Sequence, residues 1–348
     1  MFITPRPSYH DDPLFAVRVA LMPIIGFLMA MAMGSPLPML YPTMMFSLLA
    51  ANRRAFNPAR VFAAPIMFGA VIWIMSGVVL ALQGLPMLLV LVMGLIFFAA
   101  FYLIQMTGSP VGLLIIVSGV LMSVMGLGSY PSMVYLRAEL TKAAMCSAVV
   151  IPVLYMLLPP KTTEVMVDVM GPSFDYGWAT RAAIRTAVLL GYAVYLYTFL
   201  DFSNMMLAVA GMFVLVQSTR QSIWAEAGQR SFSALVGGGL GLAILSIMVV
   251  AGHVAVLLCL IFLAVLWLGH KMATGRLPSM AYQDAASVML SLVFSALASS
   301  EPSFAFVQRA GLTMMGTLFA ALVVSILDIL LVKQPTLAPA LTQPSIPA

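Results

Sequence analysis

The feature that most constrains this 348-residue chain is a regular succession of apolar blocks, each about 16 to 22 residues long, separated by short polar turns. A helix of about 20 apolar residues crosses the hydrocarbon core of a bilayer. Strictly alternating apolar and polar residues, which would indicate an outer-membrane β-barrel, are absent. The blocks therefore predict an all-α fold, a polytopic bundle of transmembrane helices.

The composition excludes several other classes of protein. The chain is 63% hydrophobic and 8% charged, whereas soluble domains carry about 25% charged residues. Its net charge of +5 comes from basic residues scattered singly at block ends, and nucleic-acid binding requires a basic patch. The first 13 residues are polar, so we interpret the apolar run after them as a retained first span and not as a signal peptide.

We predict about twelve spans in two groups of six. The first group is 15–33, 36–51, 61–81, 86–106, 111–128 and 138–157, and the second is 183–199, 203–219, 232–250, 253–270, 284–299 and 309–331. Block 36–51 is short and contains three prolines, so whether it spans fully or is re-entrant stays open. The resulting domains are a cytoplasmic N-terminal segment 1–14, a membrane repeat 15–157, a cytoplasmic linker 158–182, a second membrane repeat 183–331 and a disordered Pro-rich tail 332–348.

The lysines and arginines predict the orientation of these spans. Cytoplasmic loops of membrane proteins are enriched in both residues. With the N-terminus inside, 13 of them fall on the inner side and 3 on the outer side. The inner set is Arg6, Arg18, Arg53, Arg54, Arg60, Lys161, Arg181, Arg185, Arg220, Arg230, Lys271, Arg276 and Lys333, and the outer set is Arg137, Lys142 and Arg309. We therefore expect both termini in the cytoplasm.

A shift of 167 residues brings the two halves into register. Arg18 then falls on Arg185, and the pattern Met-Phe-x-Leu-x4-Arg ending at Arg53 falls on the same pattern ending at Arg220. With small changes of offset, Arg60 matches Arg230 and Arg137 matches Arg309. Arginine is rare in this chain, so matched arginines indicate an internal duplication. Units of six spans face the same way, which predicts a parallel repeat.

Three segments carry a family resemblance. They are RAAIRTAVLLGYAV (181–194), QSTRQSIWAEAGQRSFSALVGGGLG (217–241) and QRAGLTMMGTLFAALV (308–323), and in the last two an arginine precedes a glycine by seven residues. Together they resemble the first helix, the second-to-third-helix turn and the last helix of the fusaric-acid-resistance and aromatic-acid-exporter family. Two features depart from that family: FSNMML (202–207) lacks a tryptophan, and no segment is long enough for the soluble domain that many members carry.

The resemblance implies a function. It implies a bacterial inner-membrane protein that exports small, often aromatic, carboxylic acids together with a periplasmic adaptor protein. Plant malate channels are similar in their membrane part, so an anion channel on the same scaffold is an alternative. The expected partners are the lipid bilayer and a small organic anion, while self-assembly into a homo-oligomer stays open.

Charged residues within spans are the first candidates for function, because charge is expensive in a bilayer. Arg137 and Arg309 lie on the outer side against the general charge bias, and each heads the last span of its half. The positive N-terminal end of a helix and the donors of an adjacent arginine together favour the binding of a carboxylate. The pair is therefore a candidate substrate site, and the alternative is two interfacial residues paired with Glu139 or Glu301.

Further candidates lie towards the inner side. Arg18 and Arg185 start the first span of each half and either anchor it or gather anionic substrate. Asp328, deep in the last span, is a candidate for proton coupling or an interfacial residue paired with Lys333 or a basic loop residue. The inner turns hold four further arginines with a gating or topological role, namely Arg53, Arg60, Arg220 and Arg230.

Other signals favour packing over chemistry. Gly237, Gly238, Gly239 and Gly241, with Gly311 and Gly316, predict close helix crossings. No phosphate-binding lysine follows the glycines, so no nucleotide site is expected. The three histidines are far apart in sequence, and we expect neither a metal nor a cofactor.

These observations rank four functional classes. A proton-driven exporter of organic anions is the leading hypothesis, followed by an anion channel. A membrane enzyme is disfavoured because histidines and acidic residues are scarce within the spans. A non-catalytic subunit of a larger efflux assembly stays open.

Overall fold

The regular structure of the chain is helical throughout the part that the structure, a computed structural model, describes: residues 10–52, 55–163, 177–197, 212–217, 219–296 and 302–332. The all-α prediction is therefore confirmed for these residues. The elements in order are α1 (Phe15–Ala32), α2 (Leu40–Ala51), α3 (Pro58–Leu82), α4 (Pro86–Thr107), α5 (Pro110–Gly128), α6 (Tyr130–Leu157), α7 (Trp178–Tyr197), a 3-10 turn (Met212–Val216), α8 (Arg220–Ala251), α9 (Val254–Thr274), α10 (Ser279–Ala296) and α11 (Pro302–Leu331).

Local sequence signals mark many of the helix ends. Proline occupies the first turn of α3, α4, α5 and α6, where its missing N–H costs no hydrogen bond. Asn57 and Ser109 accept hydrogen bonds from backbone N–H groups at the starts of α3 and α5. At the other end, Gly108 and Gly252 adopt the left-handed conformation that closes α4 and α8.

Eight of the described helices are long and apolar enough to cross a bilayer. They are α1, α3, α4, α5, α6, α8, α9 and the Ala310–Leu331 part of α11. The protein is therefore a multi-pass membrane protein. The total of twelve spans stays a prediction, because α2, α7 and α10 are not among the eight and most of block 203–219 lies outside the described residues.

The helix of block 36–51 is shorter than the predicted span. It begins at Leu40, after Pro36 and Pro38, and its 12 residues extend over about 18 Å. A bilayer core is about 30 Å thick, so this helix cannot cross it alone. The prolines explain the late start, because each removes a backbone donor.

Several other helices begin earlier than the apolar blocks indicate. α6 begins at Tyr130 instead of 138, α8 at Arg220 instead of 232, and α11 at Pro302 instead of 309. Each of these helices extends towards its N-terminus past the arginine that heads the predicted span, namely Arg137, Arg230 and Arg309. The 32 residues of α8 extend over about 48 Å, so one end projects beyond the hydrocarbon core. α7 likewise begins at Trp178, within the predicted linker, while residues 164–176 and the tail from 333 lie outside the described residues.

The packing of the helices joins the two halves of the chain. α1 packs against α9, and α7 packs against α4, so the first helix of each half contacts the fourth predicted span of the other. Within the halves, α3 contacts α5 and α6, and α8 contacts α10 and α11. Each of the two buried apolar clusters accordingly combines helices from both halves.

Candidate functional site

Arg18 joins the start of α1 to the end of α6. It lies in the first turn of α1 and is 1% exposed. Its Nη1 donates to the carbonyl oxygen of Leu158 at 2.8 Å, its Nη2 pairs with the carboxylate of Asp12, and its guanidinium lies 4.2 Å from the Tyr155 ring centroid. The carbonyl end of a helix is its negative end, which favours the arginine. Burial raises the pKa of Asp12, and the Arg18 guanidinium opposes that rise.

Arg185 occupies the equivalent place in the second half and is fully buried. Its Nε donates to the carbonyl oxygen of Leu215 at 3.0 Å, and its Nη2 donates to that of Gln217 at 3.1 Å. Its Nη1 donates to the carbonyl oxygen of Arg181 at 3.2 Å, and its Nη2 lies 3.5 Å from Oδ2 of Asp328. The side chain therefore connects α7, the 3-10 turn and the end of α11.

The two arginines share one arrangement. Each starts from the first helix of its half and reaches the end of the sixth predicted span of that half, α6 for Arg18 and α11 for Arg185. Their donors are largely taken by carbonyl and carboxylate oxygens of the chain itself. Neither side chain extends towards water. Both arginines hold helix ends together in this conformation, and their assignment as substrate-binding residues stays a prediction.

Asp328 lies in the last turn of α11, where the negative end of the helix disfavours a carboxylate. Its side chain is 14% exposed and pairs with Arg185. Its Oδ1 atom is buried and accepts no hydrogen bond. Lys333, the other expected partner, lies outside the described residues. A role of Asp328 in proton coupling stays a prediction, and the pairing identifies Arg185 as the cation that its protonation would release.

Arg137 lies against α3 and not against an acidic residue. Its Nη1 donates to Oγ of Ser76 at 3.2 Å, and its guanidinium lies 3.8 Å from the Trp73 ring centroid. Its Nε is buried and donates to nothing. Arg309 lies in α11, but its side chain is outside the described residues, so the predicted pairing with Arg137 stays a prediction.

The remaining candidate arginines lie in α3, in α8 or outside the described residues. Arg60 lies in the first turn of α3. Arg220 begins α8 and is exposed, while Arg230 pairs with Glu226 at 3.0 Å one turn earlier on the same helix. Segment 220–230 is thus continuous helix and not a turn. Arg53 lies outside the described residues, and the gating role of these arginines stays a prediction.

Glu139 is a buried carboxylate that the sequence interpretation did not assign to a site. It is 2% exposed and accepts hydrogen bonds from the Ser35 hydroxyl, from the Tyr41 hydroxyl at 3.2 Å and from Nζ of Lys142 at 2.8 Å. These donors connect α6 to the α1–α2 connection and to the start of α2. The missed signal was Ser129-Tyr-Pro131, a cap and a proline that start α6 early and place Glu139 in the third turn of the helix and not at its first residues.

We expect Glu139→Gln to lower the free energy of unfolding by about 1.5–3 kcal/mol, the usual range for hydrogen bonds to a charged group. The glutamine amide has the shape of the glutamate side chain, but it lacks the negative charge that strengthens the three hydrogen bonds to Glu139. Unfolding of the purified protein in mixed micelles, followed by circular dichroism, measures the change. Lys142→Gln is the comparison variant, because it removes one exposed donor while the Ser35 and Tyr41 hydroxyls still bond the Glu139 carboxylate, so it should cost less, about 1 kcal/mol. Equal losses in the two variants would contradict the prediction.

Within the described ranges, no group of three or more His, Cys, Asp or Glu side chains is placed to hold a metal ion. Comparison with protein-family models, with curated proteins and with solved structures finds no match.

Proposed function

We propose that the protein is a bacterial inner-membrane transporter that exports small organic anions, most of them aromatic carboxylic acids, at the expense of the proton gradient. The observation that carries the proposal is the reciprocal packing of α1 on α9 and of α7 on α4. Such an arrangement follows from two like units facing each other. Transporters built from repeats move substrate between the units by rocking one against the other.

Three further features support this proposal. The contacts of α3 with α5 and α6 correspond to those of α8 with α10 and α11, as expected of two parallel six-helix repeats. Arg18 and Arg185 occupy matching places in the two halves. The sequence resemblance to the aromatic-acid exporters supplies the substrate class, the periplasmic adaptor and the orientation with both termini in the cytoplasm.

Arg137 is the described arginine best suited to contact an anion. Its Nε makes no hydrogen bond, and the Trp73 ring lies against one side of the guanidinium. A planar guanidinium binds a carboxylate through two parallel hydrogen bonds. Arg309 is the proposed second contact, and Asp328 the proposed proton carrier, whose protonation would weaken its pairing with Arg185.

We expect the double variant Arg137→Gln with Arg309→Gln to slow export roughly 10- to 100-fold, since one charge-assisted hydrogen bond contributes about 1.5–3 kcal/mol. The measurement is efflux of labelled benzoate from cells that produce the protein with a periplasmic adaptor, with and without a protonophore. Arg276→Gln, an exposed arginine outside the proposed site, is the control for the loss of charge.

The outcomes separate the proposals. Uphill export that the protonophore abolishes supports a proton-driven pump. Downhill flux that ignores the protonophore identifies a channel, and unchanged export in the double variant removes Arg137 and Arg309 from the site. Absence of flux over a broad panel of acids would overturn the transport function itself.

A further inference from the structure

A cavity of about 180 Å³ lies between α4, α5 and α7, on one of the two seams that join the halves. Its wall is apolar, with Ser123 as the one polar residue among those lining it. The Ser123 hydroxyl donates to the carbonyl oxygen of Val120 at 3.1 Å within its own helix, so it offers no proton to a ligand. The cavity therefore suits an uncharged, apolar occupant.

The cavity is elongated along the helices. On α4 its wall extends from Pro86 to Phe97, a rise of about 16 Å. The residues at the mouth, Pro86 and Val194, are exposed, whereas Met93 and Phe97 at the inner end are 2% and 3% exposed. The lining therefore extends from exposed residues at the helix ends to buried residues between the helices.

The mouth lies at the ends of candidate membrane spans. It is formed where α4 begins, near the end of α5 and near the end of α7. Tyr130 and Tyr195, exposed close to these ends, are of the residue type that marks the level of the lipid headgroups. A chain that enters here descends along the direction of the bilayer's own acyl chains.

We infer that this cavity holds one acyl chain of a membrane phospholipid, with the headgroup at the mouth between α4, α5 and α7. An acyl chain matches the length and the apolar wall of the cavity, and its contacts with the wall replace those that it makes with neighbouring lipid chains. The lipid then fills a seam between the halves that protein side chains leave open. The inference stands independently of the proposed transport function.

The test uses the full-length protein in nanodiscs that contain phosphatidylethanolamine with a photoreactive diazirine in mid-chain. After illumination, mass spectrometry of peptides locates the adducts. We expect adducts on buried Met93 and Phe97, which bulk lipid does not reach, beside adducts on Leu91 and Leu95, which are 59% and 62% exposed on the same helix.

Filling the cavity should remove only the buried adducts. Ala193→Leu places three extra carbons in the lining, and we expect it to abolish labelling of Met93 and Phe97 without changing that of Leu91 and Leu95. Ala187→Leu, two turns earlier on the exposed face of α7, is the matched control and should leave both patterns unchanged. Ser123→Leu repeats the test from α5 if Ala193→Leu does not fold.

Three results would overturn the inference. One is labelling of Leu91 and Leu95 alone in the wild-type protein. The second is labelling of Met93 and Phe97 that persists in a folded cavity-filling variant. The third is labelling of the buried residues by a diazirine-bearing free fatty acid and not by the phospholipid, which would assign the cavity to a free acid.

Discussion

Replacing Arg185 with methionine is expected to lower the free energy of unfolding by about 3–5 kcal/mol, the cost of leaving one charge of a buried ion pair without its partner. The arginine is fully buried and bonds the carbonyl oxygens of Leu215 and Gln217 as well as the carboxylate of Asp328. Methionine is an unbranched apolar side chain, shorter than arginine, and supplies none of these donors. Equilibrium unfolding in mixed micelles, followed by circular dichroism, measures the loss.

A second variant separates the charge from the packing. Adding Asp328→Leu to Arg185→Met replaces the ion pair with apolar side chains, which is often neutral or stabilising in a buried site. We expect partial recovery only, because the carbonyl oxygens of Leu215 and Gln217 remain without a donor. Arg276→Gln, an exposed arginine, should change stability little. A loss in Arg185→Met no larger than in Arg276→Gln would show that Arg185 does not hold these elements together.

The helices were predictable from sequence because block length and hydrophobicity act locally. The apolar blocks identified α4, α5 and α9 to within a few residues. The helix starts that depend on capping residues and tertiary packing were not predicted. α6 and α8 begin at polar caps, Ser129 and Thr219, well before the predicted spans 138–157 and 232–250. Tertiary packing stabilises these first turns, and the hydrophobic pattern of the sequence does not reveal tertiary packing.

The candidate site was predictable in its residues but not in its contacts. The matched positions of Arg18 and Arg185 were visible in the sequence, because arginine is rare in this apolar chain. Their partners were not, since Leu158 lies 140 residues from Arg18 and Asp328 lies 143 residues from Arg185. The partners of Glu139 were not predictable for the same reason, because Ser35 and Tyr41 lie 104 and 98 residues earlier in the chain.

The predicted glycine crossing is present at particular residues only. A Cβ atom on Gly237 would lie 2.2 Å from the carbonyl oxygen of Ala285 on α10, and one on Gly241 would lie 2.9 Å from Leu292. Ser233, one turn before Gly237, donates to the carbonyl oxygen of Ala281 at 2.6 Å. Gly239 faces open space, as does Gly311. Small residues spaced by four thus let α8 and α10 approach closely.

We expect Gly237→Leu to destabilise the protein by about 3 kcal/mol or more, at the upper end of the cost of overpacking. The obstacle is the backbone of α10, so no rotamer of the new side chain relieves the clash. The helices must separate, which also breaks the Ser233 hydrogen bond. Unfolding in mixed micelles measures the stability, and the yield of folded protein reports a complete failure to pack.

Gly239→Leu is the matched control, with the same change two residues away on the same helix. Gly239 is exposed and a side chain there meets no neighbouring atom within 4 Å, so leucine would face lipid. Removing a glycine from a helix stabilises it by up to about 1 kcal/mol, so this variant should equal or exceed the wild-type protein in stability. If Gly237→Leu lowers the free energy of unfolding and Gly239→Leu raises it, the α8–α10 contact lies on one face of α8. Equal destabilisation would contradict that contact, because it would make the cost a property of the helix and not of its crossing with α10.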